Sequence, residues 1–178
     1  MKNYIILFIL CALHSVAQEK LSTTSGQVFF EASIPSFEEV KATNNNAQVQ
    51  FNSKSGTLNS LLYVRDFKFK NSLMFTHFND SYMETNRYSK AVFKGKIENY
   101  NSAEVTSTFK EYRIKGRIQI KGKTKDLISV AKIRKTETGI EMKMEFNLDA
   151  SDFNVKIPLI VRNKVSNKVK VINNFSLK

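Results

Sequence analysis

The stretch SLMFTHFNDSYMET, Ser72 to Thr85, gathers the side chains best suited to chemistry. It holds His77, one of two histidines in the chain, with Asp80 and Glu84 following three and seven residues on. On a helix those carboxylates lie one or two turns from the imidazole, the kind of reach general acid–base catalysis needs. The rest of the set is missing. No G-x-S-x-G elbow offers a nucleophile and no glycine-rich loop offers a phosphate cradle. A metal wants several ligands, and the only cysteine and the other histidine, Cys11 and His14, sit far away near the N-terminus. The residues thus point to no catalysis, no metal and no cofactor. Two roles stay open for His77: a local hydrogen bond that fixes the segment to the fold, or contact with the polar head of a ligand.

The same segment is apolar on one side. Met74, Phe78 and Tyr82 recur at four-residue spacing, which predicts a short helix that Asn71 or Ser72 can cap. Such a helix either gates one end of a larger structure or plugs it. Arg65 poses a second question. In LLYVRDFKF it falls in the phase of Leu61, Tyr63, Phe67 and Phe69. Either a bulge between Val64 and Phe67 leaves it outside, or it is an internal charge that meets an anionic head group.

The elements that must hold these residues are strands. In YRIKGRIQIKGK, Tyr112, Ile114, Gly116, Ile118 and Ile120 alternate with Arg113, Lys115, Arg117, Gln119 and Lys121. Successive side chains of a strand point to opposite faces, so this is one dry face and one basic, wet face. GIEMKMEFNLD repeats the pattern with Ile140, Met142, Met144, Phe146 and Leu148 inward. KVKVINNFSLK repeats it with Val169, Val171, Phe175 and Leu177, interrupted by Asn173. Further strands are expected over 26–33, 37–42, 48–52, 60–69, 91–98 and 125–134, with turn chemistry at 52–56, 99–102 and 135–139. Eight or nine strands with short connections predict one all-β domain, a sandwich or an up-and-down barrel. Whether its interior is hollow does not follow from alternation. Methionines on the inward phase suit irregular, adaptable space.

Charge and the N-terminus bound the setting. The chain of 178 residues carries a formal net charge of +12. Nucleic acid is a poor partner for it, because the basic phase of 113–123 lacks the aromatic residues on which bases stack. That phase reads as a solvated outer wall with weak attraction to anionic membrane surfaces. Lys2, the apolar run Tyr4–Leu13 and the small residues Ser15-Val16-Ala17 have the form of a signal peptide over 1–17, cleaved near Ala17. The expected location is periplasmic or secreted. The remaining 18–178 would contain no cysteine and depend on its core alone.

Several blocks together resemble a known family. They are GQVFFEASIPSFEEVKATN, the run from Gly56 to Ile97, YRIKGRIQIKGKTKDLISV and FNVKIPLIV. The most specific order combines Phe67 and Phe69, then LMFTHFNDSYM, then Tyr88, Ala91, Phe93 and GKI. On these residues the chain resembles the YceI-like family, particularly its exported Bacteroidetes members; Ser89 departs where a proline is common. The resemblance implies an eight-stranded antiparallel, lipocalin-like barrel over 18–178 with a short helical insert and a polyisoprenoid-type lipid inside. The expected function is an exported, non-catalytic carrier of an apolar, isoprenoid-like lipid. The alternative is an envelope protein, structural or stress-related, with a filled barrel and no lipid. Candidate ligand-binding residues of the apolar interior or its gate are Phe30, Phe67, Phe69, Met74, Phe78, Tyr82, Phe93, Ile114, Ile118, Met142, Met144 and Phe146, with Met74, Phe78 and Tyr82 on the helix that gates or plugs one end. Arg65 and His77 are candidate head-group contacts.

Overall fold

The computed structural model describes residues 20–178; the signal-peptide reading, with Cys11, His14 and Ala17, falls outside them. Alternation becomes long strands: β1 (Lys20–Ser33), β2 (Lys41–Asn52), β3 (Thr57–Tyr63), the two-residue β4 (Lys68–Phe69) and β5 (Lys90–Ile97). β6 (Lys110–Ile120), β7 (Lys123–Thr136), β8 (Gly139–Asp149) and β9 (Val165–Leu177) complete the set. Each long strand pairs antiparallel with its neighbour in sequence, and β1 pairs with both β2 and β9. The sheet therefore closes on itself into an up-and-down barrel of eight long strands, with β4 added against β2. Closure removes every long unpaired edge and gives the dry faces one shared interior.

Two local departures from the expected strands have physical causes. Of the expected strand 37–42, residues 37–40 are loop after a turn in which Ser36 has φ 73°, and the rest joins 48–52 in the single strand β2. The polar TNNN run stays in the strand because Asn44 is fully buried and bonded on both ends. Its Nδ2 donates to Tyr63 O at 2.9 Å and its Oδ1 accepts from Asn46 N at 2.8 Å. This absorbs the register shift opposite β1 between Gly26 and Val28.

The expected strand 60–69 breaks at a 3-10 turn, Val64–Asp66. Before the turn the inward phase is Leu58, Ser60, Leu62 and Val64; after it, Phe67 and Phe69. The parity switch corrects the sequence reading of Leu61 and Tyr63 as inward: Leu61 is half-buried, and Tyr63 is 41% exposed. It also puts Arg65 outside, where its Nη2 donates to Asn86 Oδ1 at 2.7 Å and Thr85 Oγ1 at 3.4 Å. A helical turn, not a bulge, does the switching.

The barrel interior has two halves. At one end, side chains fill it: Phe51, Ile97, Ile114, Ile133, Met142 and Leu177 are all almost completely buried. At the other end lies a cavity. Gly95 and Gly116 face each other across β5 and β6, and a Cβ on either would meet the Phe93 ring at 2.5 and 2.8 Å. The missing side chains let Phe93 lie over this pair, and it forms part of the cavity wall where the packed half begins.

Candidate functional site

The helix α1 (Ser72–His77) starts where Asn71 caps it: Asn71 Oδ1 accepts from Leu73 N at 2.8 Å and Met74 N at 3.4 Å. A wider π-type turn, Phe78–Tyr82, continues it. Met74, Phe78 and Tyr82 all line the cavity, as their spacing requires. Phe78 is seated among barrel phenylalanines. Its ring centroid lies 5.4 Å from Phe30, 5.9 Å from Phe67 and 5.0 Å from Phe69, and Phe30 and Phe67 meet edge-on at 5.1 Å. Contacts of this kind add to simple burial and hold the insert to the barrel end.

The cavity measures about 430 Å³, within the size range of small-molecule sites. Its wall combines the phenylalanine cluster with Leu62, Phe93, Ile118, Met144, Phe146 and Val171. Exposed residues at one end, Glu38, Leu73, His77 and Lys164, also line it and mark the mouth. Ten of the twelve candidate gate and wall residues thus border this space. Ile114 and Met142 do not; they belong to the packed half, four residues from Ile118 and two from Met144 in the same phase. Sequence phase identifies the inward face and is silent on depth.

The two head-group candidates separate. Arg65 is exposed on the outer side and is absent from the cavity wall, which corrects its reading as an internal charge. His77 is exposed at the mouth, and no hydrogen bond among the described residues involves its ring, so it does not fix the helix. Asn79 does that. It is 3% exposed, its Nδ2 donates to Phe75 O at 2.9 Å, and its Oδ1 accepts from the buried Thr85 Oγ1 at 3.1 Å.

Lys121 is the second anchor. It is 8% exposed at the β6–β7 turn, where Lys121 and Gly122 have φ 46° and 73°, as a two-residue hairpin turn requires. Its Nζ donates to Tyr82 O at 2.8 Å and Asn154 O at 3.1 Å and pairs with Glu84 Oε1 at 2.6 Å. That hydrogen bond holds the Glu84 carboxyl below the usual carboxylate range. Glu84 is thus the ion-pair partner of Lys121. Alternation alone places Lys121 on the outward, solvated phase. Only its position in a turn brings it inward.

Asn173 was legible as an interruption in the apolar phase of β9. It lines the cavity at 9% exposure, and its Oδ1 has no hydrogen-bond partner among the described residues. A buried, unpaired amide is costly in an apolar wall. On the outside, the basic phase of β6 is partly neutralised, since Glu98 pairs with both Arg113 and Lys115. Among the described residues no group of three or more His, Cys, Asp or Glu side chains is placed to hold a metal ion. No helix among them is long and apolar enough to cross a membrane.

A closed antiparallel barrel with one apolar cavity under a helical insert defines a binding fold of the lipocalin-like kind. The model of the YceI-like domain matches residues 14–177, and the chain belongs to that family. Solved structures agree on the fold. A polyisoprenoid-binding domain from Saccharophagus degradans, implicated in plant cell wall breakdown, superposes with a TM-score of 0.75 at 12% identity, covering 89% of this chain and 96% of that one. Burkholderia cenocepacia BcnA gives 0.68 at 17% identity over 85% of this chain and 94% of its own. The YceI protein of Campylobacter jejuni gives 0.52 at 17% identity over 99% of each. No curated protein matches the chain.

Proposed function

We propose that this protein is an exported, non-catalytic carrier that holds an apolar, isoprenoid-like lipid in the hollow half of its barrel. The cavity is the observation that carries the reading: its wall is almost wholly aliphatic and aromatic, and it reaches the surface beside α1. Removing a hydrocarbon guest from water there contributes roughly 25 cal/mol per Å² of apolar surface before ordering costs. The S. degradans relative, described as polyisoprenoid-binding, supports the lipid class. Export rests on the apolar run Tyr4–Leu13 followed by Ser15-Val16-Ala17. Periplasm or exterior is then the place of action.

The guest's head remains at the mouth, where His77 is its nearest candidate contact, and its chain runs inward toward Phe93. The packed half sets the depth limit. The test is mass spectrometry of an organic extract from protein purified from its native host without detergent. A co-purifying isoprenoid-like lipid is the expected result. An extract with no lipid above a mock purification, from protein that also takes up no polyprenol in solution, contradicts it.

A further inference from the structure

The rim of the cavity is the most apolar exposed part of the described chain. Ile160 is 84% exposed and Leu159 77%, both on the 3-10 turn Leu159–Val161; Leu73 on α1 is 60% exposed and Phe37 43%. Their sequence neighbours Glu38, Ile157, Val161 and Lys164 line the opening, so these side chains crown the mouth. Exposed apolar groups gathered beside a cavity mark an interaction surface. Over the rim segments 36–41, 70–77 and 155–165, the charged residues are Lys41, Lys70, Lys156, Arg162 and Lys164 against Glu38 and Glu39. Glu39 is held by Lys41 at 2.6 Å, and Glu38 accepts from Asn71. Lys156, Arg162 and Lys164 form no salt bridge among the described residues, although Lys156 lies near enough to Glu84 to help hold its carboxyl low.

Apolar tips ringed by unpaired cations fit the boundary between head groups and acyl chains of an anionic bilayer. From these observations we infer that the rim docks on an anionic membrane surface, with Leu159 and Ile160 entering the acyl boundary and Lys156, Arg162 and Lys164 meeting lipid phosphates. The inference rests on the lipid-carrier reading, because docking mouth-down lets a guest pass between bilayer and cavity without crossing water. It moves membrane contact from the outer wall of β6, where Glu98 partly offsets Arg113 and Lys115, to the mouth.

The test is cosedimentation with phosphatidylcholine vesicles, with and without phosphatidylglycerol, using residues 18–178 and the double variant Leu159→Glu/Ile160→Glu. Both positions are exposed, and circular dichroism checks the fold. The native protein should sediment with phosphatidylglycerol vesicles, be released by salt, and lose about tenfold in affinity in the variant. A second variant, Lys156→Gln/Arg162→Gln/Lys164→Gln, should lose the phosphatidylglycerol dependence. Equal sedimentation of native and double-variant protein overturns the inference. So does a native dimer that the double variant splits, since the rim would then cover a second copy. Uptake of a soluble short polyprenol, measured without vesicles, reports separately on the cavity. Failure there in both proteins sinks the carrier reading while the vesicle result still decides the rim.

Discussion

Asn173 is the residue whose environment and chemistry disagree most openly. It sits between Val171 and Phe175 on β9, opposite Val28 and Met144, in a wall that otherwise has little use for an amide. Replacing it with leucine, which has the same branched shape and a larger volume that the adjoining cavity can take, removes a buried unpaired polar atom. Asn173→Leu should stabilise the empty protein by about 1–2 kcal/mol, read as a higher midpoint of urea unfolding. A fall in stability would show that the amide is satisfied in solution. Tyr100 gives a second residue-level outcome. Burial, helped by the neighbouring Tyr112 ring system 5.9 Å away, pushes its hydroxyl up to about 12 from 10. An acid raised on folding stays neutral in the fold after the unfolded chain has ionised. Its contribution is therefore complete below pH 10 and is lost as pH climbs to 12. Tyr100→Phe should flatten that part of the stability profile in urea titrations at pH 9 to 12. An unchanged slope would remove Tyr100 from the account.

At the scale of elements, the helical insert depends on its anchors more than on its own short length. Lys121 ties the end of the insert to the 150s loop through Tyr82 O and Asn154 O. Lys121→Met should cost about 2 kcal/mol, and limited proteolysis should cut first within 72–89. Cleavage spread evenly over the barrel would contradict that local role. Phe93 belongs to the barrel's internal division. Phe93→Ala should cost about 3–5 kcal/mol by cavity creation and extend the hollow toward Ile114 and Met142, so that longer polyprenols gain affinity relative to shorter ones. Unaltered chain-length preference would mean that Phe93 does not bound the guest. These elements were legible to different degrees. Strict alternation in β6, β8 and β9 identified the inward phase correctly, because one face of each strand meets only the core. The cap at Asn71 and the Met74–Phe78–Tyr82 side followed from local spacing as well. The 3-10 turn at Val64–Asp66 carried no glycine or proline signal, so its helical form was hidden, although an irregularity between Val64 and Phe67 that leaves Arg65 outside was one of the two readings. Asn44 and Lys121 are polar residues buried by partners distant in sequence, Tyr63 for the one and Tyr82 and Asn154 for the other, which no local pattern reveals.

For the whole molecule, closure of the sheet and division of its interior are the features that matter. Closure followed from the family resemblance, since the count of half-dry strands left a sandwich or an up-and-down barrel open. The boundary between solid and hollow did not, since it depends on how Phe93 folds over two facing glycines. Ala91 lies in the hollow wall, beside Phe93 and close to the mouth. Placing a large ring there should occupy the guest's space and spare the packed half. The most direct measurement is therefore a titration of a fluorescent polyprenyl lipid into the native protein and into Ala91→Trp, with thermal unfolding followed in parallel. The account predicts saturable binding at one lipid per native barrel, and loss of that binding in a variant that still unfolds cooperatively. Equal binding by both folded proteins would place the lipid somewhere other than the bore and contradict the account.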